Sequence, residues 1–442
     1  MKTKTENKKK LRRQARAKAF EGGASIARPQ RRFCLMAKPA GPACNLRCKY
    51  CFYLEKEALF AHGEGRRMPE DVLDALVRKY IESQPSDEVA FHWQGGEPTL
   101  MGVDFFRKAM ELQRRYAGYK RISNVLQTNG TLFDDEWGRF LAEGDWLVGL
   151  SLDGPPDIHN INRLDTQGVG TFDSVKNGLD VLRKYRVEFN VLASVTPAST
   201  ADPMRVYEFL KQAGVTFVQF MPIVERLPDE AACTLGLQLA VGIRSGESVQ
   251  HLHMTPWSVQ PEAYGEFLCR IFDHWVRHDV GSSFVMNFEW AYAAYEGLPP
   301  RVCQFMPICG RSPIIEHNGD VYACDHYVYP EYRLGNILMD DLQDMIQSQE
   351  QNAFGDAKHT ALPTCCMDCR VLVACQGECP KRRFLLAPDG QPGLNYLCAG
   401  YKRFFEHAAP YFEAISRLKR AGQPISKIME TEIYVMPRRW LL

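Results

Sequence analysis

Cys44-Asn45-Leu46-Arg47-Cys48-Lys49-Tyr50-Cys51 places three cysteines at CxxxCxxC spacing, just after the apolar stretch Phe33–Lys38. Three thiolates so spaced can hold three irons of a [4Fe–4S] cluster and leave the fourth iron open, whereas an ordinary electron-transfer cluster takes four cysteines. An open coordination position is what separates catalytic from structural metal sites. The bland readings are a zinc knuckle short of one ligand, or scattered core cysteines.

Outward from this motif the chain alternates strand and helix. Phe33–Lys38 reads as a strand leading into the cysteine loop. Pro69 opens a helix with Val72, Leu73, Leu76, Val77, Tyr80 and Ile81 on one face. Strands are expected at Val89–Trp93, Ile122–Gln127, Trp146–Leu152, Phe189–Val195 and Phe217–Val224. Helices are expected at 105–116, near 134–143, at 172–185 and at 203–213. Six βα-type units with short connections predict a parallel sheet wrapped by helices. Six are too few for a closed eight-stranded barrel, so the expectation is an open, partial (β/α)6 barrel of the TIM type. The segments Gln94-Gly95-Gly96-Glu97-Pro98, Thr128-Asn129-Gly130 and Asp153-Gly154 fall at strand C-terminal ends, the edge where such folds build active sites.

The whole chain has 442 residues, 45% hydrophobic and 24% charged, with a formal net charge of +1. That is globular composition with length for two domains, and it gives no electrostatic ground for a nucleic-acid partner. No run is apolar enough to span a bilayer and no export signal is evident, so the expected location is the cytoplasm, away from membranes. Residues 1–32 crowd nine lysines and arginines between Lys2 and Lys18 among few apolar residues and read as a disordered, solvated tail. Residues 227–256 carry no strong signal, and Tyr264–Val276 reads as an amphipathic helix.

Fifteen cysteines in such a chain point to metal ligation instead of disulfides. Beyond the first three, Cys303, Cys309, Cys324, Cys366, Cys369, Cys375, Cys379 and Cys398 lie in a loop-rich region with few apolar runs, which predicts organisation by metal more than by a large core. They suffice for two fully ligated clusters. Cys34, Cys233, Cys269 and Cys365 read as small buried apolar residues, although Cys365 could replace Cys366.

The CxxxCxxC motif with Tyr50, followed after the second strand by Gly95-Gly96-Glu97-Pro98, resembles the radical S-adenosylmethionine (SAM) enzymes. The resemblance implies a cluster on Cys44, Cys48 and Cys51, and SAM contacts from Tyr50, Gly96, Ser151, Arg163 and Val224. Glycines would let the backbone approach the methionyl end, and a nearby carboxylate would suit its ammonium. Gly319-Asp320-Val321-Tyr322-Ala323-Cys324 with the later cysteines is similar to the SPASM domain, which carries two auxiliary [4Fe–4S] clusters. That likeness assigns Cys303, Cys309, Cys324 and Cys379 to one cluster and Cys366, Cys369, Cys375 and Cys398 to the other. The layout expected is a tail (1–32), a radical SAM core (33–245), a helical linker (246–300), a SPASM domain (301–410) and a C-terminal helix and tail (411–442).

Within that group, Cys324-Asp325-His326-Tyr327-Val328, Leu334-Gly335-Asn336, Asn395–Lys402 and Gln94 before the GGEP motif look like the anaerobic sulfatase-maturating enzymes. These oxidise a cysteine or serine of a sulfatase to Cα-formylglycine, using SAM and three [4Fe–4S] clusters. The resemblance casts Asp325 as the base, a sulfatase polypeptide as partner, and flavodoxin or ferredoxin as electron donor. The alternatives are a maturase that crosslinks another peptide, and a zinc-ordered binding protein.

Overall fold

Strand and helix alternate into a ten-stranded sheet, beside which residues 385–386 and 392–394 form a separate two-stranded one. The computed structural model describes residues 32–60, 67–244, 246–248 and 252–431. In it, β1 (Met36–Lys38), β2 (Glu88–Trp93), β3 (Arg121–Thr128), β4 (Leu147–Ser151), β5 (Glu188–Val195) and β6 (Phe217–Pro222) lie side by side in chain order, all parallel. The helices between them are α1 (Glu70–Ser83), α2 (Val103–Tyr116), α3 (Asp135–Glu143), α4 (Phe172–Lys184) and α5 (Pro203–Gln212). The six-unit partial barrel is therefore present. Most of the basic tail and residues 432–442 lie outside the described residues.

The apolar periodicity accounts for the packing. Val72, Leu73, Leu76, Val77, Tyr80 and Ile81 are all buried on the sheet side of α1. Trp93 ends β2 in the core, stacked on Phe91 and edge-on to Phe105 and Phe106. Its indole N–H is satisfied by Asn124 Oδ1 at 2.9 Å, as a buried indole requires.

Four expectations need correction. β6 ends at Pro222, so Val224 lies two residues beyond the strand, though still buried. A seventh parallel strand, β7 (Phe284–Val285), pairs with β6, and at two residues it is too short for a periodic signal. On the other side β1 pairs in parallel with β8 (Ile314–Glu316), which continues antiparallel into β9 (Asp320–Tyr322) and β10 (Arg333–Asn336). The cysteine-rich half thus extends the barrel sheet. Ile315, Val321, Ile337, Leu342, Phe384 and Leu397 belong to the same buried cluster as the barrel interior, so ligation is not the whole of that half's organisation. Finally, the last helix begins at Cys398, inside the span assigned to the cluster domain, and runs through Pro410 to Arg420, across the boundary expected at residue 411.

That last helix packs on α6 (Pro261–His278) at a glycine contact. A Cβ on Gly400 would sit 2.2 Å from the Pro261 carbonyl oxygen, and one on Gly265 would sit 2.7 Å from Gly400 Cα. Both obstacles are backbone and cannot rotate away. Gly400→Ala is therefore expected to cost about 1–3 kcal/mol, read as a lowered melting temperature in calorimetry. An unchanged melting temperature would mean the helices separate freely.

Candidate active site at the barrel mouth

The cysteine loop leaves β1 and is strapped across the C-terminal edge of the sheet. Arg47 N donates to Leu164 O at 2.7 Å and Lys49 N to Asn162 O at 3.0 Å, fixing the loop to the segment after β4. From the β2 side, Gly96 N donates to Gly41 O and Glu97 N to Ala43 O, both at 2.8 Å. A Cβ at Gly96 would lie 2.0 Å from Ala43 O, so only glycine lets this turn reach the residue preceding Cys44. Gly96→Ala is expected to displace the loop. Iron bound at the first cluster and 5′-deoxyadenosine formation should fall together, by about tenfold or more, a displacement on the order of 1 Å costing up to about 10²-fold. Wild-type values for both would show that the clash is relieved elsewhere.

Glu97 is fully buried, and its carboxylate accepts from Thr99 N, Thr99 Oγ1, Thr128 Oγ1 and Asn129 N at 2.6–2.9 Å. The second motif thus braces the ends of β2 and β3, with three of the four bonds on Oε1 and one on Oε2.

Tyr50, Ser151 and Arg163 gather where β4 ends. Arg163 Nε donates to Asp153 Oδ2 at 3.0 Å, Tyr50 OH donates to the same oxygen, and Ser194 N donates to Asp153 Oδ1 at 2.9 Å. The Arg163 guanidinium also lies 5.6 Å over the Tyr50 ring. Burial is the largest influence on Asp153 and opposes its ionisation, but Arg163 and the Tyr50 hydrogen bond are among the groups that together hold the carboxyl below its usual range. Ser151 Oγ accepts from Gln127 Nε2 at 3.2 Å. His159, behind Asp153, is pushed down to about 4 by burial and stays neutral. Asp153 belongs to the strand-end segment Asp153-Gly154, whereas its supports His159 and Ser194 escape sequence reading because single polar residues carry no spacing signal.

The cysteines lie in three neighbourhoods. Cys44, Cys48 and Cys51 lie within electrostatic reach of one another. Cys324 is within reach of Cys303, Cys309 and Cys379, while Cys398 neighbours Cys366, Cys369 and Cys375. Cys365 is exposed beside the half-buried Cys366. Burial raises these thiols, Cys44 to about 12 and Cys48, Cys303, Cys309 and Cys379 to about 11. A buried thiolate needs a cation, and bound iron supplies it. Among the described residues no three His, Cys, Asp or Glu side chains converge as around a single ion. Sets of three and four thiols suit the separate corners of iron–sulfur clusters.

Asp325 reaches this site from the far end of the sheet. Pairing of β1 with β8 brings the Cys324 loop over the barrel, where Asp325 Oδ1 lies 2.5 Å from Lys38 Nζ at the end of β1. Lys38 is almost completely buried, with its ammonium 3.7 Å over the Tyr53 ring. Burial alone would raise Asp325, but Lys38, then His326, hold it below the usual carboxylate range. Lys38 is also within electrostatic reach of Cys51, so one ammonium links the two halves of the site.

Comparison with known proteins agrees with this geometry. Residues 39–210 match the Radical SAM superfamily, and residues 307–370 match the SPASM iron-sulfur cluster-binding domain. The serine-type anaerobic sulfatase-maturating enzyme of Bacteroides thetaiotaomicron is 42% identical, covering 90% of this chain and 94% of its own. The chain belongs to the anaerobic sulfatase-maturating enzymes. A cysteine-type member from Clostridium perfringens is 34% identical over 85% of this chain and 96% of its own. The solved structure of native anSMEcpe with bound AdoMet and Cp18Cys peptide superposes with a TM-score of 0.74, at 33% identity, over 87% of this chain and 98% of that one. This enzyme is thus a radical SAM oxidoreductase, with SAM and [4Fe–4S] clusters as cofactors. Among the described residues no helix is long and apolar enough to cross a membrane.

Proposed function

We propose that the enzyme oxidises one serine or cysteine of a sulfatase polypeptide to Cα-formylglycine, with Asp325 taking the proton of the target hydroxyl or thiol. Converting CH2OH to CHO removes one hydrogen atom, one proton and one electron. Bound SAM with its cluster would supply the radical that takes the hydrogen atom, and an auxiliary cluster would take up the electron. Asp325 accounts for the proton, the ordinary task of a positioned general base. A cysteine would pass through the thioaldehyde, which water hydrolyses.

The Lys38–Asp325 pair carries this reading. It fixes an ionised, partly accessible carboxylate at the barrel mouth, beside the loop that bears Cys44, Cys48 and Cys51. Tyr50, Gly96, Ser151, Arg163 and Val224 are assigned to SAM on the family resemblance. For the first four this is supported by their place around the cysteine loop and the β4 edge. Cys303, Cys309, Cys324 and Cys379 would hold one auxiliary cluster, and Cys366, Cys369, Cys375 and Cys398 the other. Flavodoxin or ferredoxin would supply the starting electron, in a cytoplasm that keeps the fifteen unpaired cysteines reduced.

The serine-type relative shares more with this chain than the cysteine-type one, so serine is the first target to try. Mass spectrometry of serine and cysteine sulfatase-motif peptides, after incubation with reduced enzyme and SAM, tests the reading. An aldehyde in place of the target side chain is expected. A thioether crosslink, or 5′-deoxyadenosine with an unchanged peptide, would point to another maturation reaction.

A further inference from the structure

His326 directly follows Asp325 but does not face the same task. Its Nδ1 lies 3.4 Å from Cys379 Sγ, within hydrogen-bonding distance for sulfur. The ring is wedged edge-on against Phe52 at 5.0 Å between centroids, and the Lys381 ammonium covers the Phe52 ring at 4.3 Å. Lys381 is itself tied to the buried Glu225 at 2.5 Å, so the stack holding the imidazole is fixed at both ends. A ligating thiolate sulfur can only accept, so the nitrogen facing it carries the hydrogen. Nδ1–H donates in the neutral Nδ1 tautomer and in the imidazolium alike.

We propose that His326 is a positioning residue that raises the reduction potential of the cluster held by Cys303, Cys309, Cys324 and Cys379, by donating an Nδ1–H hydrogen bond to the Cys379 sulfur. Reduction adds negative charge to the cluster, and a hydrogen bond to a ligand sulfur stabilises the more negative state. Cys324, Asp325 and His326 then serve one event: the first ligates the cluster, the second takes the proton and the third favours acceptance of the electron. The inference rests on the assignment of Cys379 to this cluster. Iron counting on Cys379→Ala checks that assignment separately from any activity.

The test is a redox titration of the fully loaded enzyme followed by electron paramagnetic resonance. His326→Phe keeps a ring against Phe52 but removes the donor, and should move one cluster to a more negative midpoint with the other two unchanged. His326→Asn places an amide N–H close to the Nδ1 position and should stay near wild type. If the Phe variant keeps its iron and its wild-type midpoint, or if Asn shifts as far as Phe, the proposal is overturned. Should the Phe variant lose iron, enzyme labelled with 15N-histidine gives a second reading without mutation. A nitrogen coupling to that reduced cluster is expected, and its absence would overturn the proposal.

Discussion

Asp325→Asn is expected to leave SAM cleavage intact while formylglycine falls by about 10²–10⁴-fold, the usual contribution of a positioned general base. Asparagine keeps the size and hydrogen-bonding reach of aspartate but has no basic oxygen. The substitution leaves Lys38 buried without its counter-charge, so some local rearrangement is expected as well. Two readouts taken together separate this disturbance from lost base catalysis. 5′-Deoxyadenosine and formylglycine are measured in one anaerobic assay with serine and cysteine peptides. If only formylglycine drops, Asp325 is the base. A parallel fall in both would make it structural, and no fall would place the base elsewhere.

Replacing Cys44, Cys48 and Cys51 together by alanine is expected to abolish SAM cleavage and remove about a third of the iron, one cluster of three. The loop that carries them is held by backbone hydrogen bonds to Leu164 O and Asn162 O, and from Gly96 N and Glu97 N, that do not depend on metal. The barrel beneath is filled by its own apolar core. The variant should therefore remain folded, with the auxiliary clusters in place. Iron content unchanged within error, or continued production of 5′-deoxyadenosine, would refute the assignment of the open cluster.

What the sequence disclosed followed from how tightly chemistry constrains spacing. The CxxxCxxC spacing and the GGEP turn are readable without coordinates, and the other eight cysteines were grouped by resemblance to the SPASM domain. The 3.6-residue periodicity of α1 likewise survives in the string because a whole face is buried. Lys38 was not readable. A lone lysine after a short strand looks like solvated charge, and only the pairing of β1 with β8, residues separated by some 280 positions, brings it to Asp325. The bracing by Glu97 was not readable either, since its motif does not show the four internal hydrogen bonds that tie the ends of β2 and β3 together. The continuous sheet was hidden because β7 and β8 are two and three residues long.

A serine peptide bearing two deuteriums on the target β-carbon tests the central claim most directly. The account predicts that 5′-deoxyadenosine formed by the reduced enzyme carries one deuterium, and that the aldehyde carbon of the product retains the other. Formylglycine accompanied by unlabelled 5′-deoxyadenosine would contradict it.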